Sequence, residues 1–163
     1  VARTLEIGPN VTDDKVAVER FIASLNARDF GAAADWMTED CVHHTAGLGQ
    51  GRRVGRAAWR SLVESLWSAF PDRLIRVHEL VAAGGRVAVR LTWTGTHRDD
   101  FAGIAATGRS VEVNGISVFL LRDGLIAEQW IEQDILALHQ QLGAAPGRSD
   151  NWPAAQACKT PAH

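Results

Sequence analysis

Apolar positions in the first half of the chain recur every three to four residues. In "VTDDKVAVERFIASLNARD", Val18, Phe21, Ile22 and Leu25 fall on one side of a helix, and Thr12 and Asp13 stand where N-caps belong. "DFGAAADWM" reads as a short second helix and "EDCVHHT" as a brief strand. "GRAAWRSLVESLWSAF" predicts a third helix with Trp59, Leu62, Val63, Leu66 and Trp67 along one face, ended by Pro71. Beyond Pro71 the period drops to two. "RLIRVHELVAA", "RVAVRLTWTGTH", "SVEVNGISVFLL" and "LIAEQWIEQD" read as four strands, with two-residue hairpin turns at Gly84-Gly85 and Asp123-Gly124. A short apolar helix, "ILALHQQLG", follows.

Helices followed by a meandering sheet make an α+β domain. The expected architecture is a cone-shaped barrel: a bent antiparallel sheet wrapped around the three N-terminal helices, with one open mouth suited to a small molecule. From "GAAPGRSDNWPAAQACKTPAH" onward Pro, Gly, Ala and Ser dominate. The expected domain is therefore 1–143, with a flexible tail over 144–163.

Bulk composition narrows the partners. The 163 residues suit one domain, and 46% hydrophobic with 22% charged residues is ordinary for a soluble globular chain. A net charge of -2 argues against nucleic acid or an anionic membrane as partner. The basic run "GRRVGR" (51–56) is short and broken by glycine, and reads as a solvated turn. No apolar run approaches the ~20 residues that span a bilayer. "VARTLEIGPNVTDD" lacks the charged leader and apolar core of a signal peptide. Cys41 and Cys158 form no disulfide or metal pattern, so a reducing cytoplasm is the expected compartment.

Candidate chemistry is concentrated in a few residues. Period two places Ile126, Glu128, Trp130, Glu132 and Asp134 on one strand face, so Trp130 and Asp134 point the same way. An indole beside a carboxylate raises its pKa and gives a flat substrate a stacking wall. Position alone favours Asp134 as the N-cap of the following helix. His43 and His44 face opposite sides of a strand, and either is a satisfied core histidine or a donor to a substrate carbonyl. His97 sits after a strand and glycine, as a substrate contact or as the residue ordering "GTHRDDFAGI". No spacing puts two of these histidines on one face as metal ligands, so no metal site is expected. "GLGQGR" (47–52) is not flanked by a strand–helix unit, so no nucleotide cofactor is implied either. Six tryptophans and no tyrosine are read mostly as core. Trp59 and Trp67 belong to that core, Trp36 and Trp93 to core or cavity wall, and Trp152 to the tail. Asn114, polar within an apolar strand, orients a substrate carbonyl or faces a partner chain.

The ordered set Asp40-Cys41-Val42-His43-His44, "AFPD" (69–72), "GTH" (95–97), "TGR" (107–109), "GI" (115–116), "DG" (123–124), "EQW" (128–130), Asp134 and "QLG" (141–143) resembles the SnoaL-like polyketide cyclases of the nuclear transport factor 2-like superfamily. The resemblance spans roughly 14–143. It implies a cofactor-independent intramolecular aldol closure of a hydrophobic small molecule, with Asp134 as base and His44 polarising a carbonyl from the cavity wall. Alongside these, the residues themselves offer His97 at the rim as a further catalytic candidate, and Trp130, Trp36 and Asn114 as candidate substrate contacts. Asp99 and Ala106 stand where the family usually has glycine and proline, and "GISVFLL" (115–121) lacks the family's penultimate-strand histidine. A hydroxylase, isomerase or epoxide-opening cyclase on the same cone is the alternative, and a non-catalytic binding module the contrasting class. The apolar alternation of the sheet implies a homodimer or homotetramer.

Overall fold

The computed structural model describes residues 11–45 and 52–144. The tail from Ala145, with Trp152 and Cys158, lies outside them, as does most of "GLGQGR". Helix α1 (Val11–Asn26) buries Ala17, Val18, Phe21, Ile22 and Leu25, the stripe expected from the sequence. Its last residue clasps the sheet: the Asn26 amide accepts from Ile75 N and donates to Ile75 O, both at 2.8 Å. Helix α2 (Phe30–Asp35) is capped by Asp29, whose carboxylate accepts from Ala32 N at 2.9 Å.

Strands β1 (Met37–Thr45) and β2 (Arg52–Val54) precede helix α3 (Arg56–Ala69), which buries Trp59, Val63 and Trp67. Four long strands follow: β3 (Leu74–Ala83), β4 (Arg86–Thr96), β5 (Ser110–Arg122) and β6 (Leu125–Gln133), then helix α4 (Ile135–Leu142). The β3–β4 and β5–β6 turns take positive φ at both central residues, Gly84 and Gly85 in one, Asp123 and Gly124 in the other. Such backbone matches the right-handed twist of the strands it joins.

The sheet order is β2-β1-β6-β5-β4-β3. The α+β cone expected from the sequence is present, as an open sheet with β2 and β3 as its edges. Two particulars differ from the sequence expectation. The sheet is mixed rather than antiparallel, since β1 runs parallel to β6. Strand periodicity carries no information about which strand pairs with which, so this long crossover left no local signature. Finally, Arg52–Val54 is a short edge strand paired with β1 and not a turn.

Strand β6 carries the irregularity that matters most for the site. Leu120 pairs with Glu128 and Leu121 with Ile126, so Ala127 is an extra residue. Ile126 points into the core, but after the bulge the inward residues are Gln129, Ile131 and Gln133. Glu128, Trp130 and Glu132 go to the outer face. One inserted residue exchanges the faces of the whole strand end.

Candidate functional site

The concave side of the sheet and the helices α1 and α3 enclose a cavity. Its empty volume is about 700 Å³, solvent at the mouth included. Phe21, Trp59, Leu62, Leu66 and Phe119 supply much of an apolar wall, while His43, Thr45, Ser117, Gln129, Gln133 and Arg73 place polar groups in it. An apolar pocket with a few convergent polar groups is the usual form of a small-molecule site. Among the described residues its lining contains two ionisable side chains, His43 and Arg73, and no carboxylate.

His43 is 1% exposed on the inward face of β1. Its Nδ1 lies 3.0 Å from Gln129 Oε1, which accepts, so Nδ1 carries the proton and Nε2 keeps a lone pair. That Nε2 is buried without a hydrogen-bond partner among the described residues. Burial pushes the imidazole down to about 4, helped by repulsion from His44 and Arg53 and opposed by the Gln129 hydrogen bond. At neutral pH the ring is uncharged and fixed, with an unused acceptor.

Arg73 follows the turn after α3, where its N donates to Phe70 O at 3.0 Å. The guanidinium carbon lies 4.2 Å from the Trp93 ring centroid and 4.8 Å from that of Trp67. Trp93 is itself held by Nε1 donating to Gln133 Oε1 at 2.9 Å. Buried Thr45 Oγ1 and Trp67 Nε1, on the same cavity, also have no partner among the described residues.

The residues chosen from sequence fall elsewhere. Asp134 is exposed, and its Oδ1 accepts from Ala137 N at 2.9 Å, capping α4. The expected position inside the cone beside Trp130 is therefore corrected: the bulge at Ala127 sends Trp130 to the outer face, and Asp134 opens onto a shallow outer groove with Arg90, Asn114 and Glu132. His44, expected on the cavity wall, faces outward and stacks on Trp130 at 5.3 Å and 4° while its Nε2 pairs with Glu128 at 2.7 Å. Its neighbour His43 takes the inward place, because Cys41, His43 and Thr45 form the buried face of β1.

His97 is buried off the cavity, ring-stacked on Phe70 at 5.2 Å. Its Nδ1 accepts from Thr107 N at 3.2 Å, tying the β4–β5 loop together. Trp36 packs on the core at the end of α2 without lining the cavity. Asn114 is exposed on the outer face and accepts from Thr92 Oγ1 at 2.8 Å. Sequence reading overlooked Arg73 and Gln129. Two glutamines alternating with isoleucine in "EQWIEQ" were a usable sign for Gln129; a lone arginine after "FPD" gave none.

Among the described residues no three metal-binding side chains cluster, and no helix is long and apolar enough to cross a membrane. An open sheet curved over helices around an apolar cavity defines an α+β domain of the cone type. The model of the SnoaL-like polyketide cyclases matches residues 15–142, and the chain belongs to that family. Among solved structures it is similar to TsrD from Streptomyces laurentii, with 29% identity, TM-score 0.73, and 82% of this chain and 96% of that one covered. It is likewise similar to IdmH from Streptomyces antibioticus, a polyketide cyclase candidate, at 28%, 0.70, 80% and 98%. AclR from Streptomyces galilaeus, a hydroxylase candidate, stands at 27%, 0.74, 83% and 99%. No curated protein matches the chain.

Proposed function

We propose that this protein closes a ring in a small hydrophobic biosynthetic intermediate by cofactor-free acid/base chemistry inside the cavity, with His43 as the proton carrier. Family membership supports a cyclase-type role. The observation that carries the residue assignment is the orphaned His43 Nε2, buried on the cavity and held by Gln129.

The chemistry fits a weak, fully available base. A carbon flanked by two carbonyls is an activated acid, and the enolate charge that develops beside the imidazolium offsets the burial that keeps His43 neutral in the free protein. His43 Nε2 accepts that proton, and the enolate carbon attacks a ketone carbon of the same molecule. One C–C bond forms, the carbonyl π bond becomes an alkoxide, and the alkoxide takes the proton back from the imidazolium. Apolar walls hold the chain folded so that the two carbons meet, which supplies much of the acceleration.

The test uses a 1,3-dicarbonyl compound with a pendant ketone, whose ring closure is followed by absorbance. His43→Gln is expected to lower the rate by roughly 10²–10⁴-fold, the range for losing a positioned acid/base. Asp134→Asn is expected to leave it within about twofold, because asparagine caps a helix nearly as well as aspartate. The opposite pattern, with Asp134→Asn inactive and His43→Gln active, moves the base to the helix cap and ends the His43 assignment.

A further inference from the structure

The ion pairs of Arg56 with Glu39, Arg60 with Glu64, Arg90 with Glu79, Arg122 with Asp40, and His44 with Glu128 are all at least partly solvent-exposed. Arg73 is the contrast. It is 8% exposed, it lines the cavity, and its Nε and Nη1 are buried with no hydrogen-bond acceptor among the described residues. Two indole rings flank it, which offsets part of the cost of burying the charge but supplies no acceptor for its N–H groups. Burial draws the guanidinium down to about 9, so it still carries its charge at neutral pH.

A second donor shares the deficit. Trp67, on the same wall, has its indole N–H buried without an acceptor among the described residues. An indole N–H can only donate, and so can a guanidinium. The cavity thus holds unpaired cationic and neutral donors as well as the unpaired His43 Nε2 and Thr45 Oγ1, and among its described lining residues no carboxylate balances the arginine charge. Removing one partner of a buried pair is what normally leaves a charge in this condition.

We propose that Arg73 is the anchor for a carboxylate, and that the cavity takes an apolar or aromatic carboxylic acid bound as its anion. The planar fork of donors on arginine matches a carboxylate's two oxygens, a geometry that a lysine in the same place lacks. The two tryptophans hold the guanidinium, and the apolar wall of Phe21, Leu62, Leu66 and Phe119 receives the body of the acid. A site with an unpaired donor rejects a neutral analogue more strongly than a merely apolar pocket does. The inference deepens the proposed ring closure by naming the substrate's charge, and it rests on the same cavity. It does not require that reaction to occur.

Isothermal titration calorimetry with 2-naphthoate and its neutral analogue 2-naphthamide decides the matter on the full chain, without turnover. The expected result is naphthoate binding at least ~10-fold tighter than naphthamide, as charge-assisted hydrogen bonds imply. In Arg73→Met the preference is expected to vanish while the fold holds, since an apolar side chain of similar reach replaces a buried unpaired charge. Arg73→Lys keeps the charge and is expected to retain a reduced preference. Equal binding of the two compounds to the wild type, binding of neither at millimolar concentration, or an undiminished preference in Arg73→Met each overturns the proposal. If Arg73→Met does not fold, the wild-type comparison and Arg73→Lys still decide it. Failure here leaves the His43 assignment standing, and an inactive His43→Gln protein that still prefers naphthoate leaves this one standing.

Discussion

His43 and Arg73 both bury polar atoms that have no partner among the described residues, and groups inside the cavity can use them. For His43 this has a consequence for stability. Its ordinary value is 6.5 and its folded value about 4. Between those values the unfolded chain binds the proton and the native cavity refuses it. Stability is therefore complete above about pH 6.5 and falls progressively as pH drops toward 4, where the loss levels off. The drop amounts to about 3 kcal/mol at most, at ~1.36 kcal/mol per pH unit. His43→Gln removes the titrating group, so its urea midpoint is expected to change less between pH 7 and pH 4.5 than that of the wild type. Parallel curves for the two proteins would mean that His43 is not neutral in the native state.

At the scale of elements, period two made the four long strands and both hairpins legible, and the helical stripe of α1 could be read position by position. What it could not supply was the phase at the end of β6. Counting back from Trp130 by twos reaches Ile126, an inward residue, so the count alone predicts Trp130 and Asp134 inside. The extra residue at Ala127 breaks that count, and nothing in "LIAEQW" announces a bulge. The same blindness exchanged His43 for His44, because adjacent residues of one type give no clue to which faces in. Gly115 of β5 lies against the end of β6. A Cβ placed on Gly115 would lie 2.9 Å from Glu132 O and 3.1 Å from Gln133 Cγ. The first contact is backbone and cannot swing away. Gly115→Ala is therefore expected to lower stability by roughly 1–3 kcal/mol, the usual range for overpacking. Denaturant melts check this, and an unchanged midpoint would show that the strands part freely at that point.

For the whole molecule, the alternation that lines the cavity on one side of the sheet leaves a second, partly apolar surface on the other. Ile116 is 52% exposed there, beside half-buried Val118, Leu120 and Trp130. Val118 is paired with Trp130 across β5 and β6, and Trp130 stacks on His44, so this patch is continuous across three strands. Its borders are charged, with Arg90, Glu128 and Glu132. An apolar centre inside a polar rim is the form of a surface that meets another protein, and a two-fold copy of the same face is the simplest partner. We propose that the chain dimerises through this outer face, which leaves the cavities on the far sides free. Sedimentation velocity at about 10 µM, where a stable dimer of this kind stays associated, is expected to give a dimer. Ile116→Asp puts a charge at the centre of the patch without touching the core or the cavity, and is expected to shift the protein to monomer with its melting behaviour at low concentration unchanged. A wild-type monomer at that concentration would sink the proposal, and so would an Ile116→Asp protein that remains fully dimeric.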